Sequence, residues 1–179
     1  MATRATTVAA YLSSLSGERR RDVERVRDEI NRNLPSGYEE GIRCGILAWS
    51  VPPPVFPTGY ATAVKSPLPF VALSARTRGL SVAFLTHFAD PDESARFEKA
   101  WRATGERFDA GAGCVRFDRP QAATLRLIGE EVARTPVKRY VACYAEMLKR
   151  MGKWEPKAAA KPAVRKRAAP KARSRTRAG

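Results

Sequence analysis

Phe70-Val71-Ala72-Leu73-Ser74-Ala75-Arg76-Thr77-Arg78-Gly79-Leu80-Ser81-Val82-Ala83-Phe84-Leu85 is the stretch that decides the fold of this chain. Two short apolar runs, Phe70 to Ala75 and Leu80 to Leu85, flank the polar break Arg76-Thr77-Arg78-Gly79. That pattern predicts an antiparallel hairpin with a four-residue loop, Gly79 supplying a turn position that tolerates unusual backbone angles. Upstream, Ile46 to Val51 is apolar and ends at Pro52-Pro53-Pro54, which predicts a strand followed by a rigid extended loop through Gly59. Downstream, Cys114-Val115-Arg116-Phe117 alternates weakly after Gly111 and Gly113 and predicts a further strand.

Helical signals surround these strands. Thr7 to Leu15 places Val8, Tyr11, Leu12 and Leu15 on one face. Ser16 is placed to cap a second helix, about Gly17 to Asn33, in which Val23, Val26, Ile30 and Leu34 recur at three and four residues. Pro35 and Gly37 stop it. Asp90-Pro91-Asp92-Glu93 is a helix start, with Asp at the cap, Pro at the first position and acids in the first turn. Phe97, Ala100 and Trp101 form its apolar stripe, and Gly105 closes it. Thr124 to Arg134 buries Leu125, Ile128 and Val132. Thr135-Pro136 then opens a last helix whose apolar face is Val137, Tyr140, Val141, Tyr144, Met147, Leu148 and Met151. The expected class is α+β, with helices packed on a mainly antiparallel sheet of about four strands.

Charge divides the chain in two. Of 179 residues, 33 are Lys or Arg and 18 are Asp or Glu, a formal net charge of +15. After Glu155 there are nine basic residues and no acid: Lys157, Lys161, Arg165, Lys166, Arg167, Lys171, Arg173, Arg175 and Arg177. The remainder holds 24 basic and 18 acidic residues, so the extreme charge belongs mainly to the end of the chain. Residues 1–155 are expected to form the folded domain. Residues 156–179, with Val164 as their one larger aliphatic residue and three prolines, are expected to be a disordered arm. Such an arm neutralises phosphates and releases their counterions, which suits non-specific nucleic-acid binding; solubilising the domain is the other reading.

Composition also excludes whole classes. At 44% hydrophobic residues the chain is not wholly disordered. No apolar run approaches the roughly 20 residues of a membrane span. Met1 to Thr7 lacks the apolar stretch of a secretory signal. Cys44, Cys114 and Cys143 are odd in number and far apart, which argues for thiols in a reducing cytoplasm and against a disulfide framework.

Catalytic vocabulary is sparse. A nucleophilic Cys would need a nearby His, and His87 is the chain's single histidine. His87 with Asp90, Asp92 and Glu93 has the donor types of an iron or manganese site, but the acids also suit a helix N-terminus. Gly111-Ala112-Gly113 precedes a strand instead of a helix, which is the wrong context for a phosphate loop. Glu39-Glu40 and Glu130-Glu131 are adjacent pairs, which point apart more often than together. No metal, cofactor or catalytic group is assigned. Trp49 and Tyr60, flanking the proline loop, are the candidates for lining a ligand pocket; packing alone also explains them.

Tyr38-Glu39-Glu40-Gly41, then Gly45-Ile46-Leu47-Ala48-Trp49-Ser50-Val51-Pro52, Pro67-Leu68-Pro69-Phe70, the Trp101–Gly105 helix end, and Phe108-Asp109 leading to Gly113-Cys114-Val115-Arg116-Phe117 together resemble the small bacterial YdhG-like domains. The resemblance covers roughly Val8 to Arg150. It implies a compact α+β fold of helices against an antiparallel sheet. It implies little biochemistry, since most members have none assigned, although one branch is proposed to act as a frataxin-like iron chaperone. Relatives often carry a His at the hairpin turn where this chain has Gly79. The expected function is a non-enzymatic binding domain of unassigned ligand whose basic arm associates with nucleic acid, and the alternative is an iron-binding chaperone.

Overall fold

The computed structural model describes residues 5–60, 63–64, 66–111 and 113–152. Two helices come first, α1 (Val8–Ser13) and α2 (Gly17–Asn33), followed by strands β1 (Glu39–Arg43) and β2 (Ile46–Val51). A two-stranded ribbon, β3 (Gly59–Tyr60) and β4 (Ala63–Val64), precedes the hairpin β5 (Leu68–Ala75) and β6 (Leu80–Phe84). Next come helices α3 (Thr86–Ala89) and α4 (Pro91–Ala103), strands β7 (Asp109–Gly111) and β8 (Cys114–Phe117), and helices α5 (Ala122–Ala133) and α6 (Val137–Arg150). The arm assigned to 156–179, with its nine cations from Lys157 to Arg177, lies outside the described residues.

The α+β class holds, but the main sheet has six strands, ordered β1-β2-β5-β6-β8-β7 and antiparallel throughout. The two additional strands are its edges. β1 reads Glu-Glu-Gly-Ile-Arg and β7 reads Asp-Ala-Gly, so neither carries the apolar run that marks a central strand. The proline loop also departs from the extended form. Val55 and Phe56 donate their N–H groups to the Pro52 carbonyl at 3.0 and 3.1 Å, which folds the loop into a turn and buries Phe56.

Register sorts the side chains. Leu47, Leu73, Val82 and Val115 pair across four strands, and Trp49, Val71 and Phe84 across three. This face meets α2 through Trp49, whose Nε1 donates to Asn31 at 2.6 Å. It meets α4 where Phe97 tilts against Phe84 and Trp101 against Phe117, with ring centroids 5.2 and 5.6 Å apart. One residue further along each strand, Gly41, Ala48, Ala72, Ala83, Cys114 and Gly111 pair in one unbroken row of small side chains across the whole sheet. A bulge at Trp49/Ser50 leaves Phe70 to stack on Tyr38 at 4.2 Å.

Helix α6 closes the core over that stack. Its Tyr140 is fully buried and donates its hydroxyl to the Pro69 carbonyl, while Tyr38 donates to the Thr135 carbonyl at 2.9 Å. Burial pushes both phenols above their ordinary pKa, so they remain donors. The helix stops at Arg150, and Met151, expected on its apolar face, is 52% exposed. Gly79 takes φ +71°, and a Cβ built there would lie 2.2 Å from the Phe117 carbonyl oxygen. Only glycine lets the hairpin turn sit this close to the end of β8.

Candidate functional site

Strand β6 ends at Phe84, whose N–H donates to the Gly113 carbonyl at 3.1 Å. Leu85 already has helical backbone angles, so the chain turns at once into α3. His87 therefore lies on that short helix, with its ring between Phe84 and Phe97 at 5.2 and 5.1 Å. Its side chain is 5% exposed.

Burying an imidazole among phenyl rings requires a polar partner. Glu131, one residue before Val132 on the buried stripe of α5, supplies it: Oε1 lies 2.9 Å from His87 Nε2. A carboxylate only accepts, so His87 donates to it through Nε2. The second oxygen of Glu131 takes the guanidinium of Arg96. Arg96 reaches Glu93 at 2.8 Å, and Glu93 in turn holds Arg139 at 2.6 Å and Arg134 at 3.8 Å. One chain of charges thus fastens α3, α4, α5 and α6 together. Desolvation pushes the Glu93 carboxyl up, but hydrogen bonds from Arg96 and Arg139 outweigh it and hold the group below its ordinary pKa.

His87 also lines a cavity of about 410 Å³ between α4 and the β7–β8 edge. Phe84, Phe97 and Phe108 give it aromatic walls, and Ser94, Glu98, Arg102 and Cys114 add polar groups. Glu98 and Arg102 are already joined at 2.7 Å, with Arg102 poised 5.2 Å above the centre of the Phe108 ring. Gly113 borders the cavity at φ +69°, where a built Cβ would fall 2.4 Å from the Phe88 ring. That steric demand, and not a phosphate, accounts for Gly113. Gly111 belongs to β7, and Ala112 between them lies outside the described residues.

The residues singled out from sequence fare differently. Asp90 caps α4, accepting from the Asp92 and Glu93 amides at 3.2 and 3.3 Å. Glu93 is held by arginines and His87 by Glu131, so the iron-like set is divided among separate partners. Among the described residues no three His, Cys, Asp or Glu side chains gather as a metal site. Trp49 is fully buried with its indole bonded to Asn31, and Tyr60 stacks on Tyr144 at 6.3 Å. Neither lines the His87 cavity. The adjacent acids do point apart: Glu40 takes Arg27 through two bonds of 2.6 and 2.7 Å, and Glu130 is exposed while Glu131 is buried. None of the three cysteines is in a disulfide. The sequence reading noted Glu131 only as one of an adjacent pair; its role as the partner of His87 escaped it, although a glutamate on an apolar stripe was the available signal.

No family model, no curated protein and no solved structure matches this chain.

Proposed function

We propose that this chain is a binding domain, of the YdhG-like kind its motifs resemble, that its arm of nine cations attaches to nucleic acid. The observation that carries the reading is the segregation of charge. Eleven basic side chains among the described residues stand in ion pairs with acids. The nine from Lys157 to Arg177 have no acidic residue in their own segment to pair with. A run of cations with no acids among them engages phosphates through counterion release, with little base preference.

The domain's own small-molecule ligand is assigned to the His87 cavity. Its volume suits a small ligand, its walls are aromatic, and the His87 ring that lines it is held in a fixed direction by Glu131. Fluorescence anisotropy of labelled duplex DNA over a salt series, with the full chain and with a chain ending at Glu155, tests the nucleic-acid reading. Equal affinity of the two chains would overturn it.

A further inference from the structure

On the opposite end of the sheet, the first turns of α2 face the β5–β6 turn and the residues after β8 across a cleft of about 310 Å³. Gly79 builds this cleft, because its close approach to Phe117 brings Thr77 and Arg78 against Asp118 and Arg119. Asp22 lines it from the second turn of α2. This residue is 8% exposed, yet its carboxylate makes no hydrogen bond or ion pair with any described residue. No buried side-chain oxygen among the described residues lacks a partner, so the Asp22 oxygens open onto the cleft, where a donor that enters it can reach them.

The lining states what kind of donor. Glu18, Asp22 and Asp118 balance Arg19, Arg78 and Arg119, so the cleft is neutral but carries both signs. Glu18 and Arg119 satisfy each other. That leaves Asp22 and Asp118 of one sign, and Arg19 and Arg78 of the other, without ion-pair partners among the described residues. A simple cation would meet the arginines, and a simple anion the carboxylates. A ligand that carries both an ammonium and a carboxylate satisfies both.

We propose that this cleft binds a small zwitterion, a free α-amino acid, with its ammonium on Asp22 and its carboxylate on the Arg78 guanidinium. The arginine also offers the planar fork that suits a carboxylate. This is a second site, apart from the His87 cavity, and it stands whether or not the arm binds nucleic acid.

The test is an amide NMR titration of the full chain with L-serine, L-glutamine and L-arginine as probes. At least one should shift the signals of Asp22, Arg78 and Gly79 saturably. Removing its ammonium by N-acetylation, or its carboxylate by amidation, should each weaken binding about tenfold or more. Asp22→Asn should weaken it likewise. Arg78→Ala, on an exposed turn where folding is not at stake, should do the same and keeps the test valid if the Asp22 variant does not fold. Three results overturn the proposal: no probe shifts the cleft signals; the amidated probe binds as well as the free one; or salt alone shifts them with no amino acid present, which would place this chain's own basic segment in the cleft.

Discussion

Glu131 and His87, separated by 44 residues of chain, meet at 2.9 Å with side chains 3% and 5% exposed. The carboxylate lies between an imidazole and the Arg96 guanidinium, so its removal strands the buried imidazole and leaves Arg96 with Glu93 alone.

Glu131→Leu should therefore destabilise the protein by about 2–3 kcal/mol, since each lost hydrogen bond to a charged group costs on that order. Glu131→Gln, which keeps an acceptor, should cost less. Urea unfolding of the three proteins measures the difference, and a Leu variant within about 0.5 kcal/mol of the parent would show that the network contributes nothing net.

Acid should weaken the same layer through Glu93. Its folded pKa is lowered from an ordinary value of 4.5, so its stabilising contribution is complete above that value and is lost as pH falls through the lower folded one. The gap in stability between the parent and Glu93→Gln should narrow on acidification across that window and stay constant above it. A gap that widens towards low pH would contradict this.

Gly79→Ala should cost about 2 kcal/mol or more, combining a left-handed backbone with a clash against the Phe117 carbonyl. Gly105→Ala is the control. Its φ is +81° but nothing lies within 4 Å of the added carbon, so strain of about 1 kcal/mol is all it should show. Similar losses at both positions would remove the steric argument for the hairpin turn.

If about six of the nine arm cations engage DNA at once, the logarithm of affinity should fall against the logarithm of salt with a slope of about −5. Ending the chain at Glu155 should flatten that slope, and scrambling the DNA sequence should change little. A flat salt response of the full chain would leave the arm a solubiliser.

What could be read from sequence was local. The Phe70–Leu85 hairpin, strand Ile46–Val51, helix Gly17–Asn33 and the Asp90 cap are each specified by residues within one turn or one strand of each other. What escaped depends on distance in the fold. β1 and β7 form because a neighbour offers them a ladder, their own residues, Ile42 apart, being charged or small. The His87 site was hidden because Glu131 and Arg96 come from other helices, and no spacing rule links position 87 to position 131. The same holds for Asp22: its helix is plain in the sequence, but the turn and loop that enclose it are brought there by Gly79.

The six-stranded order has a kinetic consequence. β1 with β2, β5 with β6, and β7 with β8 are three ribbons, each closed by a turn of a few residues and laid side by side. Two seams, β2–β5 and β6–β8, require distant parts of the chain to find each other. Each ribbon can zip from its own turn on a microsecond scale, so the rate of reaching the native state is set by those two seams. Substitutions at Leu47, Val71 or Val115, which line the seams, should slow refolding more than equally destabilising ones in α1.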